Sequence, residues 1–239
     1  MFNLRSAFLL FIPLLCFVFS SSILQQKDSI YTYKTASDGG TGKYYYGREI
    51  AHIMDFSNSA WLERNSREVE ENADVTVAKL PITETSTVAD IGAGTGFYTF
   101  KICNRVPKGK VYAVEIQNDA VSYLKNKAGQ LNTTNVVVVK GTEKSPELPE
   151  NSLDLAVMVD VYHELSYPHE MLQAIRRSLK PSGKLLLLEY RAEDAKVSIK
   201  PLHKMTAKQV GKELTANGFR LVEDGEFLPI QHYLLFEKD

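Results

Sequence analysis

The chain predicts an α/β fold built on a doubly wound, largely parallel sheet, and three observations carry that prediction. The run Thr87-Val88-Ala89-Asp90-Ile91 is β-branched and apolar, and leads through Gly92-Ala93-Gly94-Thr95-Gly96 into an apolar segment that reads as a helix. Short apolar runs at 111–115, 135–140 and 153–160 then alternate with segments of helical period, the order of parallel βα units. Two last runs, 219–223 and 231–237, have no helix between them and predict a closing hairpin.

A strand, a glycine-rich turn and a helix together form a nucleotide-binding edge, because glycines let the backbone turn sharply and approach a ligand closely. The spacing excludes a dinucleotide fingerprint, which needs Gly-x-Gly-x-x-Gly. Counted from Gly92 the third position is Phe97, and from Gly94 it is Thr99. What stands here is Asp-x-Gly-x-Gly-x-Gly, with Asp90 two residues before the first glycine. This resembles the first motif of class I S-adenosylmethionine-dependent methyltransferases. The resemblance implies a Rossmann-like seven-stranded sheet of order 3-2-1-4-5-7-6. It implies that Gly92, Ala93, Gly94 and Gly96 form the cofactor turn. It also implies that Asp90 holds the cofactor's amino-acid end through its ammonium, directly or through water. A carboxylate there would repel a pyrophosphate, whereas S-adenosylmethionine carries a sulfonium and no phosphate.

The second strand, 111–115, ends at Glu115, 25 residues after Asp90. A carboxylate at that position accepts hydrogen bonds from both ribose hydroxyls, and Ile116 follows it. After the third strand come Gly141, Thr142 and Glu143, which the resemblance sets beside the adenine. The fourth strand, nearly all apolar as a central parallel strand is, ends in Asp160-Val161-Tyr162-His163-Glu164. Ligands of doubly wound sheets sit at such carboxyl ends, and the family's fourth motif falls here, between cofactor and acceptor. Pro168 opens a helix with Met171, Leu172 and Ile175 inward; Lys180-Pro181-Ser182-Gly183 precedes the fifth strand, from which Glu189 emerges. A helix follows around 206–217, stopped by Gly218.

The N-terminal third is of a different kind. Arg5, an uncharged apolar run over 7–19 and Ser20-Ser21-Ser22 follow the order of a secretory signal peptide. Counted to Leu24 the apolar stretch also suits an uncleaved anchor. Residues 1–24 therefore predict export, as to a periplasm, or membrane anchoring. S-adenosylmethionine is made in the cytosol, which pulls toward a cytoplasmic placement. Residues 25–46 read as a linker or arm, and 47–80 as a helical cap in which 49–56 forms a helix with Ile50, Ile53 and Met54 on one face. The methyltransferase domain is expected over 81–239.

Methyl transfer from a sulfonium is an in-line displacement, so the protein binds the cofactor, aligns the acceptor and, for a hydroxyl, takes its proton. His163 and Glu164 are the candidates for the proton, with Glu189 next; Tyr162 is a candidate for the wall of the transfer channel, and Asp160 for the cofactor. Tyr46, Arg48, Trp61, Arg64 and Glu189 are the candidates for the acceptor, the arginines because they bind carboxylate or phosphate. Each arginine also has a glutamate neighbour with which to pair. No metal set is expected: Asp160, His163 and Glu164 are close in sequence, but nothing comparable elsewhere completes them, and His203 and His232 stand too isolated to assign a role. The net charge of −1 gives no case for nucleic acid, and the expected partner is a small-molecule acceptor. Gly-Arg-Glu-Ile, Trp-Leu-Glu-Arg, Asp-Val-Tyr-His-Glu and Leu-His-Lys-Met are similar to a group of uncharacterised bacterial methyltransferases.

Overall fold

The computed structural model describes residues 30–239; the signal or anchor expected over 1–24 lies outside the described residues. Among those described, no helix is long and apolar enough to cross a membrane. The central sheet has seven strands: β4 (Thr87–Ile91), β5 (Lys110–Glu115), β6 (Val136–Lys140), β7 (Leu153–Val159), β8 (Leu179–Tyr190), β9 (Phe219–Gly225) and β10 (Gln231–Lys238). Their spatial order is β6-β5-β4-β7-β8-β10-β9, the expected 3-2-1-4-5-7-6. The first five pair in parallel, and β10 runs antiparallel between β8 and β9. The order turns back between β4 and β5 on one side and β7 on the other, so a crevice opens at their carboxyl ends.

Helices cover both faces, which is why β7 is apolar apart from Asp154 near its start. One core layer joins Leu153, Ala156 and Met158 to Met171, Leu172 and Ile175 of α5 (Pro168–Ser178) and to Val210 and Leu214 of α6 (Ala207–Thr215). The other joins Leu155 and Val157 to Tyr98 and Ile102 of α3 (Phe97–Cys103) and to Ala73 and Val77 of α2 (Ala73–Lys79). Between β5 and β6, α4 (Asn118–Gln130) buries Ala120, Val121 and Leu124. Burying a Leu-sized side chain contributes about 1.5–3 kcal/mol, so these two layers dominate the fold.

The N-terminal region departs from expectation. Within the arm expected over 25–46, the described residues 30–46 hold strands, and 49–56 is not a helix: β1 (Tyr31–Tyr33), β2 (Gly40–Tyr45) and β3 (Arg48–Ala51) form an antiparallel sheet. The two-residue turn Tyr46-Gly47 has positive φ at both positions, 47° and 94°, the geometry that closes a tight hairpin. Tyr31, Tyr45 and Ile50 bury together against Tyr167, so Ile50 serves a strand face instead of a helix face. The polar 37–44 segment is gathered by Glu49, whose carboxylate accepts from Ser37 N–H and O–H, Gly42 N–H and Tyr44 O–H. After β3 come a 3₁₀ segment, Phe56–Glu63, then α1 (Arg67–Glu71) and α2.

Candidate active site

A cavity of about 610 Å³ opens at the carboxyl ends of β4, β5 and β7, within the usual range for small-molecule sites. Gly92, Gly94, Glu115, Ile116, Thr142, Glu143 and Asp160 line one half. Gly92 and Gly94 have φ of 74° and 54°, and a Cβ on either would run into Val161 or Leu62. Glu115 is buried and aimed by the backbone: Oε2 accepts from Gly94 N–H at 3.1 Å, and Oε1 from the N–H groups of Ile116 and Gln117. Asp160 stands at a positive φ of 52°. Its Oδ2 accepts from Gln231 Nε2 at 2.8 Å, and its Oδ1 is buried with no partner. Burial and the nearby Glu71 and Glu189 push its carboxyl well above the usual range. A buried acceptor orphaned at the margin of a cavity is costly unless a donor meets it.

Asp90 lies deeper than the other cofactor candidates. It is buried beneath the glycine turn, where Thr99 O–H donates to Oδ2 at 2.5 Å, pinning the start of α3 to the end of β4. Burial pushes it up to about 6, against the lowering by Thr99. It lines only a small pocket of about 30 Å³, together with Ala93, Gly94, Thr95 and Arg67. Gly96 and Gly141 line neither space. A side chain on Gly96 would strike Phe100 and Leu124, and one on Gly141 would strike Val114, so both are packing glycines.

The other half of the cavity is lined by Met54, Trp61, His163, Glu164, Tyr190 and His203, among others. The 3₁₀ turn Tyr162–Glu164 follows β7 directly and sets His163 and Glu164 at its floor. His163 Nδ1 is 2.6 Å from Glu189 Oε2, and Nε2 is 3.2 Å from His203 Nδ1. His203 Nδ1 is also 3.1 Å from Glu164 Oε1. Burial alone would push His163 down; Glu189 and Glu164 overturn that and hold it at about 10. Burial raises Glu164, but His163 and His203 beside it bring it to about 2. The two flanking carboxylates thus favour the protonated ring, which makes His163 a poor proton acceptor in the ion-free site.

Several candidates are structural. Tyr162 is fully buried, its hydroxyl donating to Glu213 at 2.8 Å, and does not line the cavity. Arg48 is committed to Glu213 through Nε and Nη2 and to the His163 carbonyl through Nη1. Arg64 pairs with Glu70 and Glu71 and lies over Trp61. Tyr46 is a turn residue whose carbonyl accepts from Lys212. Glu189 does not reach the cavity; its other oxygen accepts from Tyr162 N–H. Of the five acceptor candidates, only Trp61 lines the space. The carboxylates that tie up these cations, Glu71 and Glu213, are fully buried, and that burial requires such partners.

Three contributors escaped the sequence reading. Arg67 lines both the cavity and the small pocket, held by Glu71 at 2.9 Å and by the Leu62 carbonyl. Met54 lies beyond β3. His203 comes from the 3₁₀ turn Pro201–His203 and stands beside His163, 40 residues earlier. The Leu-His-Lys-Met string was the one visible signal for it.

Residues 89–185 match the family described as a methyltransferase domain. Over 127 residues the chain is 30% identical to an uncharacterized methyltransferase-like protein of Schizosaccharomyces pombe, covering 53% of this chain and 47% of that protein. It is 28% identical over 123 residues to the ubiquinone/menaquinone biosynthesis C-methyltransferase UbiE of Pseudomonas savastanoi, covering 51% and 45%. The chain thus spans about half the length of the curated relatives it matches. Among solved structures, an S-adenosylmethionine-dependent methyltransferase from Aquifex aeolicus superposes with a TM-score of 0.73 at 29% identity, covering 77% of this chain and 98% of that one. The chain carries a methyltransferase domain of the S-adenosylmethionine-dependent class, and S-adenosylmethionine is its cofactor.

Proposed function

We propose that the chain transfers a methyl group to a small-molecule acceptor by in-line displacement, inside the cavity between the glycine turn and the His163 turn. The observation that carries this reading is the division of one cavity into two chemically distinct halves. One half offers a backbone cradle with the carboxylates of Glu115 and Asp160. The other offers Trp61, Met54 and the His163–Glu164–His203 cluster.

The residues fit the cofactor. Glu115 accepts from the ribose hydroxyls, with its orientation set in advance by three backbone N–H groups. The unpartnered Oδ1 of Asp160 accepts from the ammonium, and Arg67 faces the carboxylate of the same amino-acid end. Thr142 and Glu143 border the adenine side. S-adenosylmethionine, when bound, supplies an electrophilic methyl on a sulfonium. Trp61 and Met54 close the acceptor half against water, and the cluster holds the acceptor's heteroatom in line. A concave space of about 610 Å³ with a mostly apolar lining favours a small molecule over a protein or nucleic acid. Export or anchoring through residues 1–24, and kinship with bacterial methyltransferases that carry such a segment, belong to the same reading and rest on the sequence.

The test is calorimetric titration of the purified protein with S-adenosylmethionine, followed by a screen of cell metabolites for transfer of a labelled methyl group. Binding with label appearing in a small-molecule fraction is expected. Binding with no transfer to any fraction would make the chain a sensor of the cofactor, and absence of binding would overturn the reading altogether.

A further inference from the structure

We infer that the acceptor half of the cavity holds a divalent transition-metal ion, coordinated by His163 Nε2, His203 Nδ1 and Glu164 Oε1. The three atoms lie within 4.8 Å of one another. Their separations are 3.2 Å between the two ring nitrogens, 3.1 Å from His203 Nδ1 to Glu164 Oε1 and 3.8 Å from His163 Nε2 to the same oxygen. Ligands that stand about 2.0–2.2 Å from one ion are spaced about 3–3.5 Å apart. The triangle therefore accepts an ion with only a small contraction of its longest edge.

A second observation points the same way. His163 uses its other nitrogen, Nδ1, on the buried Glu189 carboxylate at 2.6 Å, and Glu189 is itself fixed by the Tyr162 N–H at 2.8 Å. A carboxylate behind an imidazole keeps the proton on Nδ1, so a cation that displaces the Nε2 proton meets a lone pair aimed at the triangle, the arrangement that supports metal-bound histidines. Charge agrees as well: Glu164 and Glu189 flank the two rings, and a dication balances both carboxylates. Without an ion, protons must be shared among three atoms that converge on one point.

Two imidazoles and one carboxylate, with the remaining positions open, form the donor set of catalytic zinc and non-haem iron(II) sites. Nitrogen ligands select against Mg²⁺ and Ca²⁺, which prefer all-oxygen shells. All three ligand residues line the cavity, so the open positions face the space assigned to the acceptor. Resting on the methyl-transfer reading, this assigns the acceptor's class: a small molecule that presents an oxygen, nitrogen or sulfur ligand to the ion.

The test uses the full chain without a polyhistidine tag, stripped with chelator and titrated with Co²⁺ and Zn²⁺ in the absence of cofactor and acceptor. One Co²⁺ per chain is expected, with visible ligand-field bands that Zn²⁺ displaces and a rise in melting temperature. His203→Ala, at a partly exposed loop position, should abolish the bands while circular dichroism remains native. Glu189→Gln should weaken Co²⁺ binding roughly 10–100-fold and keep the shape of the bands, whereas His52→Ala, on an exposed histidine elsewhere, should change neither. Failure of the folded wild-type chain to take up stoichiometric Co²⁺, or Co²⁺ bands that survive His203→Ala, would overturn the proposal. Because no cofactor enters the titration, its outcome is independent of whether methyl transfer is found.

Discussion

The two halves of the cavity are built in opposite ways. The cofactor half comes from a stretch of backbone between Asp90 and Glu115 plus two strand ends, and its decisive atoms are N–H groups and one aimed carboxylate. The acceptor half is assembled from the Met54–Trp61 segment, the Tyr162–Glu164 turn, the end of β8 and the Pro201–His203 turn, braced by buried charges of β3 and α6. Arg48 meets Glu213 across 165 residues of sequence. A site made of backbone turns tolerates side-chain change at its margins, while one made of desolvated ion pairs loses stability when a single partner goes. Function and stability are therefore separable in the first half and entangled in the second.

The sharpest way to break this comparison is at Glu213. Its fully buried carboxylate receives Arg48, Tyr162 and Gln209, so Glu213→Ala strands a cation beneath the His163 turn. Removing one partner of a buried pair costs about 3–5 kcal/mol, and a loss of that size is expected in chemical denaturation. A loss under about 1 kcal/mol would mean that the acceptor half is not charge-locked.

Glu115→Ala probes the other half. The expected loss is about 1.5–3 kcal/mol in cofactor binding, the range for hydrogen bonds to a charged group, or roughly 10–150-fold in Kd by calorimetry. Its effect on folding should be smaller than that of Glu213→Ala. The opposite ranking would merge the two halves into one kind of site.

The smallest effect depends on pH. Asp90 is raised to about 6 in the folded chain, above the roughly 3.9 of an unfolded chain. The folded state then holds that proton more tightly, so its contribution to stability is complete below about pH 4 and is lost as pH rises toward 6. Asp90→Asn removes the titration and should match wild type near pH 4. Above pH 6 it should be more stable by about 1–3 kcal/mol, read from denaturant midpoints at each pH. A pH-independent difference would place the cost of Asp90 in packing instead of ionisation.

How much was legible in the sequence follows the same division. The glycine spacing, Glu115 at a strand end and the apolar run of β7 are local patterns, and local patterns report backbone geometry and the burial of a face. Periodicity failed over 49–56, because Ile50 suits a strand as well as a helix, and composition misled over 30–46, because the buried Glu49 that gathers the polar segment has no local signature. Arg48 and Arg64 sat near glutamates in the sequence, yet their main buried partners, Glu213 and Glu71, are set by which carboxylates the fold deprives of water.

By itself, then, the sequence determined the strand segments, the glycine turn and the position of His163 just beyond β7, while the strand order came from the family resemblance. These depend on hydrogen-bonded strands and on turns only glycine makes easily, and both are written in contiguous residues. Only the tertiary structure decided that His203 stands 3.2 Å from His163, that Glu189 braces the ring from behind, and that Tyr162 and Arg48 serve the scaffold. A lone histidine has no period and no neighbours to betray it. Its chemistry is set by the charges and lone pairs that packing brings within reach, and that convergence exists only once the chain has closed on itself.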